Sequence, residues 1–204
     1  MKKYVIAYTV MLFSVFMTDL GAAEKGKTTL DNLLAAYNGE SNAKAKYEAF
    51  AVKAEEEGYL SVAALFKAGA RSEERHANKH AAEIKKLGAE PVADIKASEV
   101  KTTAENLETA IKGETYETDS MYPEFLKQAE ADKNSGAAMS FRGALATETE
   151  HAKLYKQALA ELDSWKAAGK EFLVCQICGF ISMDPDLRKC PVCAAPRSKF
   201  DVIK

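Results

Sequence analysis

Between Thr28 and Leu162 the apolar positions recur at intervals of three, four and seven, the repeat that keeps side chains on one face of an α-helix. Four segments follow from it: about Thr29 to Glu57, ended by Gly58; about Leu60 to Leu87, ended by Gly88; about Thr103 to Ala131; and about Ser135 to Leu162. Thr28 with Asp31 and Thr102 with Glu105 have the Thr-x-x-acid spacing of N-terminal capping pairs. Pro123 falls inside the third segment and predicts a kink, because proline lacks the amide that the helix ladder needs. Two connections are short, and the third, GAEPVADIKASEVKTT, is long enough to cross the end of a bundle. The pattern predicts a mainly α fold built on a four-helix bundle.

The residues that interrupt the apolar stripes carry the chemistry. Glu40 shares a face with Leu33, Tyr37 and Tyr47; Glu73, His76 and His80 continue the face of Val62 and Phe66. Glu114 and Glu117 follow Leu107 and Ile111, and Glu148 and His151 lie between Phe141 and Tyr155. A buried, unpaired carboxylate costs several kcal/mol, so five glutamates and two histidines on core faces call for bound cations. Glu73 with His76 and Glu148 with His151 both read Glu-x-x-His, whose side chains project together from one helix face. Two such helices, completed by carboxylates from the other two, make the dinuclear iron site of ferritin-like bundles. The interval from Glu40 to Glu73 nearly equals that from Glu114 to Glu148, a weak internal repeat. His80 lacks an evident third ligand for a zinc site and reads as a structural or supporting residue.

All four cysteines stand in CQICGFISMDPDLRKCPVC near the end of the chain. The knuckles Cys175/Cys178 and Cys190/Cys193 can converge on one metal, and a disulfide framework is the poorer reading. Zinc and iron share this ligand set; a neighbouring di-iron core argues for iron. With 204 residues, 47% apolar, the chain can bury one full core and carry a small appendage. Its net charge of −2 comes from interspersed acids and bases, which leaves no basic stripe for nucleic acid. Residues 1–23 have the layout of a signal peptide: Lys2 and Lys3, an apolar run from Tyr4 to Met17, then Gly21, Ala22 and Ala23. That run is shorter than the roughly 20 residues a membrane span needs. The expected organisation is a leader over 1–23, a bundle over 24–168 and a metal ribbon over 169–204, with export to the periplasm or beyond; the alternative is a cytoplasmic protein.

Over residues 28–204 the chain resembles the rubrerythrins, through YNGESNAKAKYEAFA, SEERHA, IKGETYETDSMYPEF, ATETEHAKLY and the two knuckles. The resemblance implies a ferritin-like di-iron bundle joined to a rubredoxin-like domain, acting as a peroxidase that reduces hydrogen peroxide to water in oxidative stress defence. It implies that Glu40, Glu73, His76, Glu114, Glu117, Glu148 and His151 hold the iron pair, with Glu73 and Glu148 bridging and Glu117 exchanging with His76 as the oxidation state changes. Tyr47 and Tyr122 match tyrosines that support the ligands. Cys175, Cys178, Cys190 and Cys193 would hold a single iron, or zinc, that returns electrons from an unidentified donor protein. The family also implies a head-to-tail homodimer, in keeping with a fourth helix whose length past His151 predicts that the tail does not fold back on its own core. At CPVCAAP the chain departs from the family, with Ala194 where glycine is common, and strain is expected there. A ferroxidase or iron-binding ferritin relative, and a non-catalytic metal-binding ribbon protein, are the alternative functions.

Overall fold

The computed structural model describes residues 27–167 and 169–204. The expected leader lies outside them, and among the described residues no helix is long and apolar enough to cross a membrane. Helix α1 (Thr29–Glu56) packs along α2 (Leu60–Lys86), and α3 (Thr103–Tyr116) and α4 (Tyr122–Ala131) pack on α5 (Ser135–Ala160). Both threonine caps form complete boxes: the Thr28 side chain accepts from the Asp31 amide while Asp31 accepts from the Thr28 amide, and Thr102 and Glu105 repeat this. The long connection after Gly88 is held by two asparagines of α1. Asn38 Oδ1 accepts from the Asp94 amide at 2.8 Å, and Asn42 Oδ1 accepts from the Lys96 amide at 2.9 Å.

The third helical segment does not simply kink. It widens into a π-turn over Glu117–Met121, in which the Tyr122 amide donates to the Glu117 carbonyl, before α4 resumes with Pro123 in its first turn. The wider turn removes the clash that the Pro123 ring would make with the carbonyl four residues back.

The bundle core is split in two. Leu33, Ile84, Tyr122, Phe125 and Phe141 fill one end; Tyr47, Phe50, Phe66, Leu107 and Tyr155 fill the other. Along α1, α2 and α5 the buried acids and histidines fall between these clusters.

After α5 a 3₁₀ turn, Leu162–Trp165, reverses the chain into a three-stranded antiparallel sheet of order β2-β1-β3, with β1 Phe172–Cys175, β2 Ile181–Ser182 and β3 Phe200–Ile203. Strand β1 is buried on both faces. Phe172 and Val174, with Ile181 and Trp165, join the bundle cluster that contains Phe66, whereas Leu173 and Cys175 point into the ribbon's own core with Cys178, Cys190 and Phe200. The ribbon therefore lies against its own bundle, contrary to the expectation drawn from the length of the fourth helix. That helix ends at Ala160, two residues early, and the turn that follows it folds β1 back along α2. Asp201 of β3 fastens the contact: it accepts from Arg71 Nε at 2.9 Å and Arg75 Nη2 at 3.4 Å on α2, and from Gln176 at 2.7 Å within the ribbon.

Ala194 adopts φ +60°, with its amide donating to the Cys190 carbonyl at 2.9 Å, as the expectation of strain required. A left-handed backbone costs an L-residue about 1 kcal/mol, partly offset by the greater unfolded-state freedom of glycine. Ala194→Gly should therefore stabilise the ribbon by about 0.5 kcal/mol, read as slower release of the sulfur-bound metal to a chelator. Faster release would locate the strain elsewhere.

Candidate metal centre

Each long helix contributes to one buried cluster. Glu40 comes from α1, Glu73 and His76 from α2, Glu114 from α3, and Glu148 and His151 from α5; none is more than 1% exposed. The ligand-bearing atoms fall into two groups of four, Glu40/Glu73/His76/Glu148 and Glu73/Glu114/Glu148/His151, each within a span that one cation can bridge. Glu73 and Glu148 are common to both. Glu148 sends Oε1 to 2.6 Å from His76 Nδ1 and Oε2 to 2.5 Å from His151 Nδ1; Glu73 sends Oε2 to 3.1 Å from the first ring and Oε1 to 3.9 Å from the second. Glu40 stands 3.8 Å from His76, and Glu114 3.8 Å from His151. The Glu/His cluster thus supplies the residues of a di-iron site, with two carboxylates placed to bridge and one at each end.

The donor atoms fit such a pair. Glu40 Oε2, Glu73 Oε1 and Glu114 Oε2 are buried without a hydrogen-bond partner, and the two Glu148 oxygens face the imidazole nitrogens of His76 and His151. Orphaned buried oxygens are rare in proteins and expensive, and here they converge on one place. Burial and the charge of Glu148 and then Glu114 push the Glu73 carboxyl well above its ordinary range. Burial and Glu148 raise Glu114 to about 7, against help from His151 and Tyr47. Glu148 goes the other way: burial opposes its charge, but His76 and His151 on either side hold it down. His151 is correspondingly raised, with burial outweighed by Glu148 and Glu114.

Metal removal should therefore make stability depend on pH. Glu114 titrates near 7 when folded and near 4.5 otherwise, so the unfolded chain loses its proton first, and stability falls as pH rises through that window by about 3 kcal/mol. Glu73 acts in the same direction, and the stabilisation from protonated His151, complete below its ordinary value, is lost as pH climbs through its raised one. Glu148 has the opposite sign, but its window lies at more acid pH than 4.5. The expected result is a lower urea midpoint for metal-free protein at pH 8 than at pH 5.5, a difference that metal loading abolishes. Equal midpoints in the metal-free protein would contradict it.

Tyr47 donates to Glu114 Oε1 at 2.6 Å, and Tyr122 donates to Glu40 Oε1, so both tyrosines meet terminal carboxylates. Glu117 is the predicted ligand that the structure leaves out of both groups. It is half-buried in the π-turn, where burial and the charges of Glu40, Glu114 and Glu148 raise its carboxyl. His76 occupies the ligand position that the resemblance has the two exchange.

The four cysteines form the second cluster, with Sγ atoms of Cys175 and Cys193 3.6 Å apart and those of Cys178 and Cys190 3.4 Å apart. None is in a disulfide. These separations suit the edges of a sulfur tetrahedron around one metal. Hydrogen bonding from Cys178, opposed by burial, brings the Cys175 thiol down to about 5 and favours the thiolate that a metal needs.

The two clusters touch, and Ser72, Thr147 and Gly179, which the sequence did not single out, take part in the contact. His76 turns Nδ1 to the carboxylates and Nε2 outward to the Cys178 carbonyl at 3.0 Å; His151 does the same with the Gly179 carbonyl at 3.3 Å. Ser72 donates to that second carbonyl at 2.8 Å. Thr147 Oγ1 lies 2.9 Å from His76 Nε2. Gly179 has φ +86°, and a Cβ on it would stand 2.4 Å from Ser72 Oγ and 2.6 Å from His76 Nε2. The glycine after a knuckle is visible in the sequence, but only the fold shows what it faces.

The rubrerythrin family model matches residues 31–159. Nigerythrin of Nitratidesulfovibrio vulgaris is 38% identical over 176 residues, covering 85% of each chain, and rubrerythrin of Porphyromonas gingivalis is 32% identical over 191 residues, covering 92% of this chain and 96% of that one. The solved structure of fully reduced, all-ferrous nigerythrin superposes with a TM-score of 0.82 at 35% identity, over 99% of this chain and all of that one. A bundle with two Glu-x-x-His helices, a four-cysteine ribbon docked on it and matches of this extent place the chain in the rubrerythrin family.

Proposed function

We propose that the chain is a non-haem di-iron peroxidase that reduces hydrogen peroxide to water with electrons entering through an iron held by the four cysteines. The observation that carries this reading is the pair of consecutive carbonyls, Cys178 and Gly179, that accept from the outer nitrogens of His76 and His151. Cys178, a ligand of the sulfur cluster, and its neighbour Gly179 are thereby hydrogen-bonded to one imidazole at each end of the dinuclear site. Iron storage or ferroxidation has no use for such a junction. When bound, the metal pair supplies two electrons and Lewis acidity to the O–O bond. The surrounding side chains do the rest. Glu73 and Glu148 fix the spacing of the two positions, Tyr47 and Tyr122 hold the terminal carboxylates, and the carbonyls keep both imidazoles in the Nε2–H tautomer with Nδ1 free to bind. Peroxide takes up two electrons and two protons and leaves as two waters.

The test is anaerobic reduction of the metal-loaded protein followed by peroxide or by dioxygen. Peroxide should be consumed as the red colour of the oxidised sulfur-bound iron returns. Rapid reoxidation by dioxygen with peroxide left untouched would favour the ferroxidase reading.

We further propose the head-to-tail homodimer, in which the same contact can close between chains as well as within one. Mixing Cys178→Ala chains with Glu148→Ala chains, each inactive alone, should restore peroxidase activity if ribbons are exchanged. No recovery in confirmed mixed dimers would confine the contact to one chain. The electron donor is proposed to be another protein, and export remains a proposal from residues 1–23.

A further inference from the structure

We propose that Ser140, His80 and Tyr122 form a proton inlet from a surface groove to Glu40, reaching the metal centre at the end of the core away from the cluster that the ribbon joins. The three side chains make one continuous line: Ser140 Oγ lies 2.9 Å from His80 Nδ1, His80 Nε2 lies 3.1 Å from the Tyr122 hydroxyl, and Tyr122 donates to Glu40 Oε1. The direction of every hydrogen is fixed from the inner end. A hydroxyl that donates to a carboxylate must accept from His80 Nε2–H, which leaves Nδ1 to accept from Ser140.

The outer end opens. Ser140 lines a groove of about 290 Å³ together with Lys79, Glu83, Lys86, Gly136 and Met139, room for several waters. Gly136 keeps the mouth clear for a carboxylate, since a Cβ there would stand 2.3 Å from Glu83 Oε2. The other tyrosine offers a contrast. Tyr47 donates to Glu114, but its ring packs on Phe50, Phe66 and Tyr155, and the Tyr155 hydroxyl is itself without a partner. Of the two tyrosine–carboxylate pairs, only Tyr122–Glu40 continues outward through described polar groups.

In one passage a groove water gives a proton to Ser140 Oγ, Ser140 gives its own to His80 Nδ1, Nε2 gives its proton to Tyr122, and Tyr122 gives its proton to Glu40. The passage leaves the ring as its Nδ1–H tautomer, which returns to Nε2–H by proton exchange with water before the next passage, and the hydroxide left in the groove returns to bulk water. Two passages supply the two protons that peroxide consumes, so the purpose of the inlet rests on the peroxidase reading.

The line can be tested without turnover. Reducing the metal pair removes positive charge from a buried site, and protons should follow to balance it. Metal-loaded full-length protein is photoreduced in weak buffer with a pH-indicator dye, and the rate of proton uptake is compared with the loss of di-iron absorbance. The key variant is His80→Gln, whose amide can accept from Ser140 and donate to Tyr122 but cannot pass a proton along. Proton uptake should slow by roughly 10²-fold or more with metal content and Tyr122 environment unchanged, and Ser140→Ala should slow it in the same direction. Uptake at the wild-type rate in His80→Gln, or no uptake in the wild type, would overturn the inlet. A wild type that takes up protons through His80 yet leaves peroxide intact would instead overturn the peroxidase reading and leave the inlet standing.

Discussion

Glu148→Ala is expected to empty both metal positions of the bundle at once while leaving the four-cysteine site loaded. Glu148 is common to both ligand groups and lies closest to both imidazoles, 2.6 Å from His76 and 2.5 Å from His151. Its loss takes one donor from each metal and leaves the other carboxylates facing each other without compensation. Breaking a buried charged network by deleting one partner costs about 3–5 kcal/mol, so the variant should also unfold at lower denaturant. Glu40→Ala and Glu114→Ala each touch one group only and should release the metals unequally. Glu150→Ala is the control, since that side chain lies outside both ligand groups and pairs with Lys153 at 3.0 Å. Iron analysis per chain, with the red sulfur-bound centre as internal standard, makes the measurement. Two bundle irons retained in Glu148→Ala would sink the bridging assignment.

The parts of this architecture that were legible in the sequence are those that local periodicity encodes. Thr28 and Thr102 cap their helices because a side chain and an amide three residues apart meet in any helix start. Glu73 with His76 and Glu148 with His151 point together for the same local reason, and a buried carboxylate advertises itself by breaking an apolar stripe. What the sequence left dark depends on backbone placed by distant segments. Pro123 announced a break in a helix, but whether the chain kinks or widens by one residue depends on how α4 must seat Tyr122 against Glu40. Glu117 lies on the right face by periodicity, yet the π-turn sets it outside both ligand groups. The length of α5 suggested that the ribbon stays away, because residue counting measures rise along an axis and says nothing of a reversal at Trp165. His80 read only as a structural or supporting residue, since its partners Ser140 and Tyr122 come from other helices.

On the proposed route through the ribbon, Gly179→Ala should slow electron entry while both metal sites remain full. Two independent costs meet at this residue. Its φ of +86° lies in the left-handed region, which strains any side chain, and its Cα faces α2 so closely that a methyl group would sit 2.4 Å from Ser72 Oγ and 2.6 Å from His76 Nε2. The cysteines can keep their metal, because the knuckle closes through the Gly179 amide to the Cys175 carbonyl at 2.9 Å and the cysteines pack in the ribbon's own core. The contact with the bundle cannot stay as it is. The ribbon must move off α2, and the carbonyls of Cys178 and Gly179 then lose the imidazole hydrogens that join the two centres. A displacement near 1 Å in a positioned reaction costs roughly 10²-fold in rate. Reduction of the di-iron site from the prereduced ribbon should slow by about that much, followed by stopped-flow absorbance. Ile177→Ala, in the same knuckle but facing solvent, should leave the rate unchanged. Wild-type transfer in Gly179→Ala would mean that electrons reach the bundle by a route that does not need the carbonyl contact.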